Sequence, residues 1–182
     1  MDNPEYLKQY EQRLEQALLQ QCTQKGLLNG QLLDSPDISE YWLTVAKDYM
    51  SDAVPQIADY PLCALGWAMY LGMAIAKFWD TDWEKYSKAE NIYCQLRDDR
   101  GFDYLDEVVR GKVLNLEGQE FDRMERVVQD CSQTVLSLIR KEQIEPATPL
   151  AFQVYMASIN TLYRIGAAII LRSLGYNFVK MN

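Results

Sequence analysis

Residues 60–79, YPLCALGWAMYLGMAIAKFW, contain no acid and a single base, Lys77, near the end. A stretch of that kind must be hidden from water, and the rest of the fold has to be built around the hiding. Twenty residues at 1.5 Å per residue reach about 30 Å, enough to cross a bilayer, and Tyr60 and Trp79 sit where interfacial aromatics would. Yet only residues 62–76 run without a charge or a terminal aromatic, and Gly66 and Gly72 dilute them. The one comparable stretch, residues 147–176, carries Arg164 in its middle, where charge is costly in lipid. A buried central helix is the expectation, and a membrane is not an expected partner.

Ala64, Ala68, Gly72 and Ala76 repeat every four residues, which sets four small side chains in one row along a helix. Such a row marks a close-packing interface, in a membrane or out of it. Its expected partner is the tail helix, where Ala151, Gly166, Ala167 and Ala168 are also small, or a second copy of the chain.

The remaining chain reads as amphipathic helices. Leu7, Tyr10, Leu14, Leu18 and Cys22 share a face before Gly26 and Gly30, and Ile38, Tyr41, Trp42, Val45, Tyr49 and Ala53 share another before Pro55. Trp83, Tyr86, Tyr93 and Leu96 follow a cap at Thr81 or Asp82. Phe102, Leu105, Val109, Val113 and Leu116 follow Gly101, and Phe121, Met124, Val128, Cys131, Val135 and Leu138 follow Gly118. No stretch alternates with a period of two. The expected fold is all-α: a compact bundle of about six or seven helices around two apolar ones, at about 60–79 and 150–174, in a single domain over 1–182. Pro146 and Pro149 read as a helix boundary and not as a linker.

The chain has no histidine among its 182 residues. That removes Ser-His-Asp and Cys-His nucleophile pairs, His-bearing zinc sites and Glu-x-x-His di-iron sites. The net charge is −8, which disfavours nucleic acid as a partner. The charge is uneven: residues 147–182 hold Arg164, Arg172 and Lys180 and no acid, whereas the first 146 hold 15 bases and all 26 acids. Cys22, Cys63, Cys94 and Cys131 are widely spaced, form no Cys-x-x-Cys pair and read as small buried hydrophobes. A charged opening, MDNPEYLKQYEQR, without a signal peptide adds to a cytoplasmic expectation.

Chemistry would have to run on carboxylates, tyrosines or isolated thiols. Asp103, Asp106 and Glu107 lie in the densest acidic region, DDRGFDYLDE, and are the candidate oxygen ligands for magnesium. Glu117, Glu120, Asp122 and Glu125 form a second set, and their spacing resembles the Glu-x-x-Glu pairs of all-helical nucleotide pyrophosphohydrolases, which implies magnesium-dependent hydrolysis. Trp79, Trp83 and Tyr86 are candidate walls of an aromatic pocket. Asn160, Tyr163 and Arg164 are polar positions in the apolar tail helix and need partners. For Arg164 the expected countercharge is Asp103, Asp106, Glu107 or a neighbouring subunit. No cofactor is expected. The leading functional expectation is a non-catalytic bundle acting through self-association or a protein partner. A small apolar or aromatic ligand-binding module comes second, and a magnesium-dependent hydrolase third.

Overall fold

The computed structural model describes residues 3–177, and among these there are seven α-helices and no strand. They are α1 (Asn3–Gln24), α2 (Pro36–Ala53), α3 (Pro61–Ser87), α4 (Ile92–Arg100), the single turn α5 (Leu105–Glu107), α6 (Gly118–Lys141) and α7 (Pro149–Ser173). Prolines open α2, α3 and α7 at their first turn, where a missing N–H costs nothing and the fixed φ favours the helix. Thr148 caps α7 by accepting a hydrogen bond from the Ala151 amide at 3.1 Å.

The two apolar helices are the centre of the bundle: α3 and α7 make its most extensive contact. They run side by side in the same direction. Leu65 lies by Tyr155 near their starts, Gly72 meets Tyr163 at mid-length, and Trp79 meets Tyr176 edge-on at the far end. At mid-length the backbones nearly touch. A Cβ on Gly72 would lie 1.9 Å from the Tyr163 carbonyl oxygen, and one on Gly166 would lie 2.2 Å from that of Met69. Only residues without a Cβ permit that approach. By length and composition both helices are long and apolar enough to cross a membrane, with 67% and 83% of their most apolar windows buried inside the molecule.

The other helices wrap this pair with the faces expected of them. α1 sets Tyr10, Leu14, Leu18 and Cys22 against it, α2 sets Ile38, Val45 and Tyr49, and α6 sets Val128, Cys131 and Val135. Buried phenols find acceptors: Tyr49 and Tyr155 both donate to the Ala64 carbonyl at 2.8 Å, and Tyr163 donates to the Ile38 carbonyl at 2.7 Å. Removal from water pushes the Tyr10 phenol up to about 12 and the Tyr49 and Tyr163 phenols well above their ordinary value.

Two stretches depart from the helices expected of them. Trp83 and Tyr86 do not join Tyr93 and Leu96 in one helix. Instead they close α3, which bends at Asp82, whose extended backbone (φ −168°, ψ 83°) lets its carboxylate accept from the Lys85 amide at 3.2 Å and cap the final turn. The run from Phe102 to Leu116 is likewise no single α-helix. It passes from a 3₁₀ turn (Phe102–Tyr104) through α5 into a π-helical segment, Val108–Val113. The wider π turn rotates the buried face, so that Val108, Val109 and Arg110 are all buried in sequence.

Candidate functional site

The small-residue row is spent inside the chain. Ala64, Ala68, Gly72 and Ala76 are fully buried in the core, and Gly72 faces α7. A second copy therefore has no access to the row.

The aromatic trio does not enclose a common pocket. Trp79 meets Tyr176 edge-on (5.3 Å) and donates to Asp37, Trp83 meets Tyr41 edge-on (5.3 Å), and Tyr86 lies against Phe78 (4.6 Å). In the tail helix, Tyr163 is buried against Trp42 at 5.0 Å, and Asn160 is half-buried. Arg164 corrects its expected pairing: its partner is Glu15 of α1, at 3.6 Å, with about a third of each side chain in solvent. A pair so exposed contributes under about 1 kcal/mol. Lys180 lies outside the described residues.

Two of the three acidic candidates are likewise taken by cations. Asp106 pairs with Arg110 at 3.0 Å, Glu107 pairs with Arg100 at 3.1 Å, and Asp103 is exposed. No group of three potential ligands converges among the described residues, so the magnesium set is not assembled.

The residue that organises this region is Arg110, which no sequence pattern marked. Its side chain is 2% exposed. The π turn carries it inward, where it donates to the Asp106 carboxylate (3.0 Å), the Asp106 carbonyl (3.2 Å) and the Phe121 carbonyl (3.1 Å). Glu125 adds a second carboxylate at 3.5 Å, and the Phe121 ring lies 3.9 Å beneath the guanidinium. Burial still holds the Asp106 carboxyl above its ordinary range, against the pull of Arg110. An Asp-x-x-x-Arg spacing is the only hint the sequence carried, and on a regular helix it would have meant a solvated pair.

Asp106 and Glu125 form one wall of a cleft of about 440 Å³ whose other walls include Cys63, Trp67 and Tyr70 of α3 and Ser132 of α6. Its thiol and its phenol are shifted toward their protonated forms. Burial raises the Cys63 thiol, with Asp106 and Asp103 adding to the rise, and burial raises Tyr70 as well. The thiol is thus kept from the thiolate form that nucleophilic chemistry needs.

Across a ridge made by Pro61 and Leu136 the cleft adjoins a second depression of about 370 Å³. This groove is almost wholly apolar. Leu65, Leu136, Ile139 and Tyr155 line it, with Val54 and Ile57 along one margin and Phe152 along the other. Its end wall is the loop after α6, which contributes Ile144, Pro146 and Ala147. Gln143 (φ 51°) and Ala147 (φ 61°) hold that loop in the left-handed region, a conformation costing side chains with a Cβ about 1–2 kcal/mol each.

Exposed apolar side chains gather on this same face. Val54 (41%), Ile57 (38%), Tyr60 (62%) and Phe152 (48%) all line the groove or the cleft. Single exposed apolar residues are ordinary, but a contiguous patch around a groove marks a contact surface. The sequence could not have shown it, because the patch is assembled from the connection between α2 and α3, the start of α3, the end of α6 and the start of α7.

Comparison with protein-family models, with curated proteins and with solved structures finds no match to this chain.

Proposed function

We propose that this chain is a non-catalytic helical-bundle protein that acts through self-association, with the groove-and-cleft face as its contact surface. The observation that carries the reading is the patch itself: exposed apolar knobs (Ile57, Tyr60, Phe152) beside an apolar groove on the same face. A two-fold dimer places one patch against its own copy, so a face holding both knobs and hollow can be complementary to itself. The rim supports this. Asp59 and Arg140 both line the cleft, and neither forms an ion pair among the described residues. Across a two-fold axis each can meet the other's counterpart, and opposite charges at a rim fix register. The protonated state of Cys63 and the Arg110 pairing of Asp106 favour contact over catalysis.

Replacing Ile57 and Phe152 together with Asp tests the reading. Both side chains already touch water, so the helical circular dichroism should be kept. Burying a charge in each half of the contact should weaken association by at least roughly a hundredfold, read by sedimentation velocity. An unchanged association constant would remove the groove from the account.

A further inference from the structure

A third cavity, the largest of those described at about 530 Å³, lies at the opposite end of α3 and α7 from the groove. Its floor is apolar, formed by Leu116 and Val127 with Ile169 and Ile170 of α7 and Leu174 just beyond it. Three cations, Lys77, Arg123 and Arg172, stand on its walls with one acid, Glu120. In a chain of net charge −8 that local balance is inverted.

The three cations are also poorly used. None forms an ion pair with a carboxylate among the described residues. Arg172 gives one hydrogen bond to the Gly26 carbonyl at 2.8 Å, and Arg123 gives a long one to the Lys25 carbonyl at 3.4 Å. A guanidinium has five donors, so most of each fork is left over. Lys77 is the only charge between residues 60 and 79, it is half-buried, and its ammonium has no hydrogen-bond acceptor among the described residues. An arriving anion therefore meets no competing acceptor on the Lys77 ammonium.

We infer that this cavity is a binding site for a small anionic amphiphile, its acidic head held by Lys77, Arg123 and Arg172 and its alkyl or aryl body laid on the apolar floor. The size suits a compact organic ligand, since small-molecule sites run to roughly 300–1,000 Å³ and are mainly apolar with a few placed polar groups. The inference does not rest on self-association, because no groove residue lines this cavity.

Isothermal titration of the full chain with dodecanoate, below its micelle concentration and with dodecanol as the neutral control, tests the site. The expected result is saturable binding of one dodecanoate per chain, weaker binding of dodecanol, and weakening as salt is raised. Combining Lys77→Gln with Arg123→Gln should weaken dodecanoate on the order of tenfold or more, as loss of charge-assisted hydrogen bonds does, and leave dodecanol where it was. Arg172 is left in place because it also ties α7 to the end of α1. The Ile57→Asp, Phe152→Asp variant should bind dodecanoate as the unmodified chain does. Absence of saturable binding, equal affinity for the alcohol, or indifference to the Lys77 and Arg123 substitutions overturns the inference. So does loss of binding in the groove variant, which would put the ligand in the groove. Binding that emerges only when residues 178–182 are removed would make that segment the occupant, and overturns it equally.

Discussion

Gly72→Ala should be the most damaging single-methyl change in the molecule. The added Cβ would lie 1.9 Å from the Tyr163 carbonyl oxygen and 2.8 Å from its carbon, and both are backbone atoms that no rotamer change can move. The helices must separate, and the reciprocal contact of Gly166 with the Met69 carbonyl opens with them. Overpacking costs typically about 1–3 kcal/mol when side chains can shift, so a backbone clash at the centre should cost more than about 3 kcal/mol. At this chain length that lowers the thermal midpoint by roughly 6–12 °C. Gly66→Ala is the internal comparison. Its Cβ would meet the Ser132 hydroxyl at 2.5 Å, a side-chain contact that Ser132→Ala relieves. Calorimetry should therefore show Gly66→Ala partly rescued by the second substitution, with no such rescue for Gly72→Ala. A Gly72→Ala chain that melts with the unmodified one would mean that α3 and α7 are not in backbone contact.

The second large effect belongs to Arg110. Its buried guanidinium is the countercharge for Asp106, which is largely buried, and for Glu125, which stays partly in solvent, and it is the donor to two carbonyls. Arg110→Met should cost about 3–5 kcal/mol, because removing one member strands the others, and adding Asp106→Leu should return part of the loss. The sign of the pH dependence follows from the direction of the Asp106 shift. Burial already raises its folded pKa, and without Arg110 the rise grows, so the native state prefers the protonated carboxyl more than the unfolded chain does. Stability of the Arg110→Met chain should therefore be greatest in acid and fall as pH rises through that raised pKa. Denaturant midpoints across this range check it. A cost of about 1 kcal/mol at every pH would mean that the cluster is solvated.

Most of the helical architecture was legible because burial writes a period of 3.6 into the sequence. The stripes of α1, α2 and α6 name most of the side chains that became core, although Leu7, Phe121, Met124 and Leu138 are only partly buried, and the tail helix expected at about 150–174 spans Pro149–Ser173. The π turn was not legible. It differs from a regular helix by a single inserted residue, which moved Arg110 from a solvated flank to the interior. Partners over long separations were illegible too: Arg164 found Glu15 on the neighbouring α1, because charge alone does not say which helix lies alongside. The aromatic trio misled for a related reason. Trp79, Trp83 and Tyr86 are close in sequence, but the bend at Asp82 turns their rings toward different partners. The groove could be found only in three dimensions, since Val54 and Ile57 are apolar residues of the connection after α2 and Phe152 lies outside the buried face of α7, as Leu43 lies outside that of α2 with 81% exposure.

The most direct test of self-association through that groove is the molar mass of the unmodified chain, measured by light scattering over a wide range of concentration. The mass should rise from the monomer value of 21.1 kDa to twice that, with the Ile57→Asp, Phe152→Asp chain remaining at 21.1 kDa throughout. A sharp 21.1 kDa species for the unmodified chain at every concentration would contradict self-association through the groove.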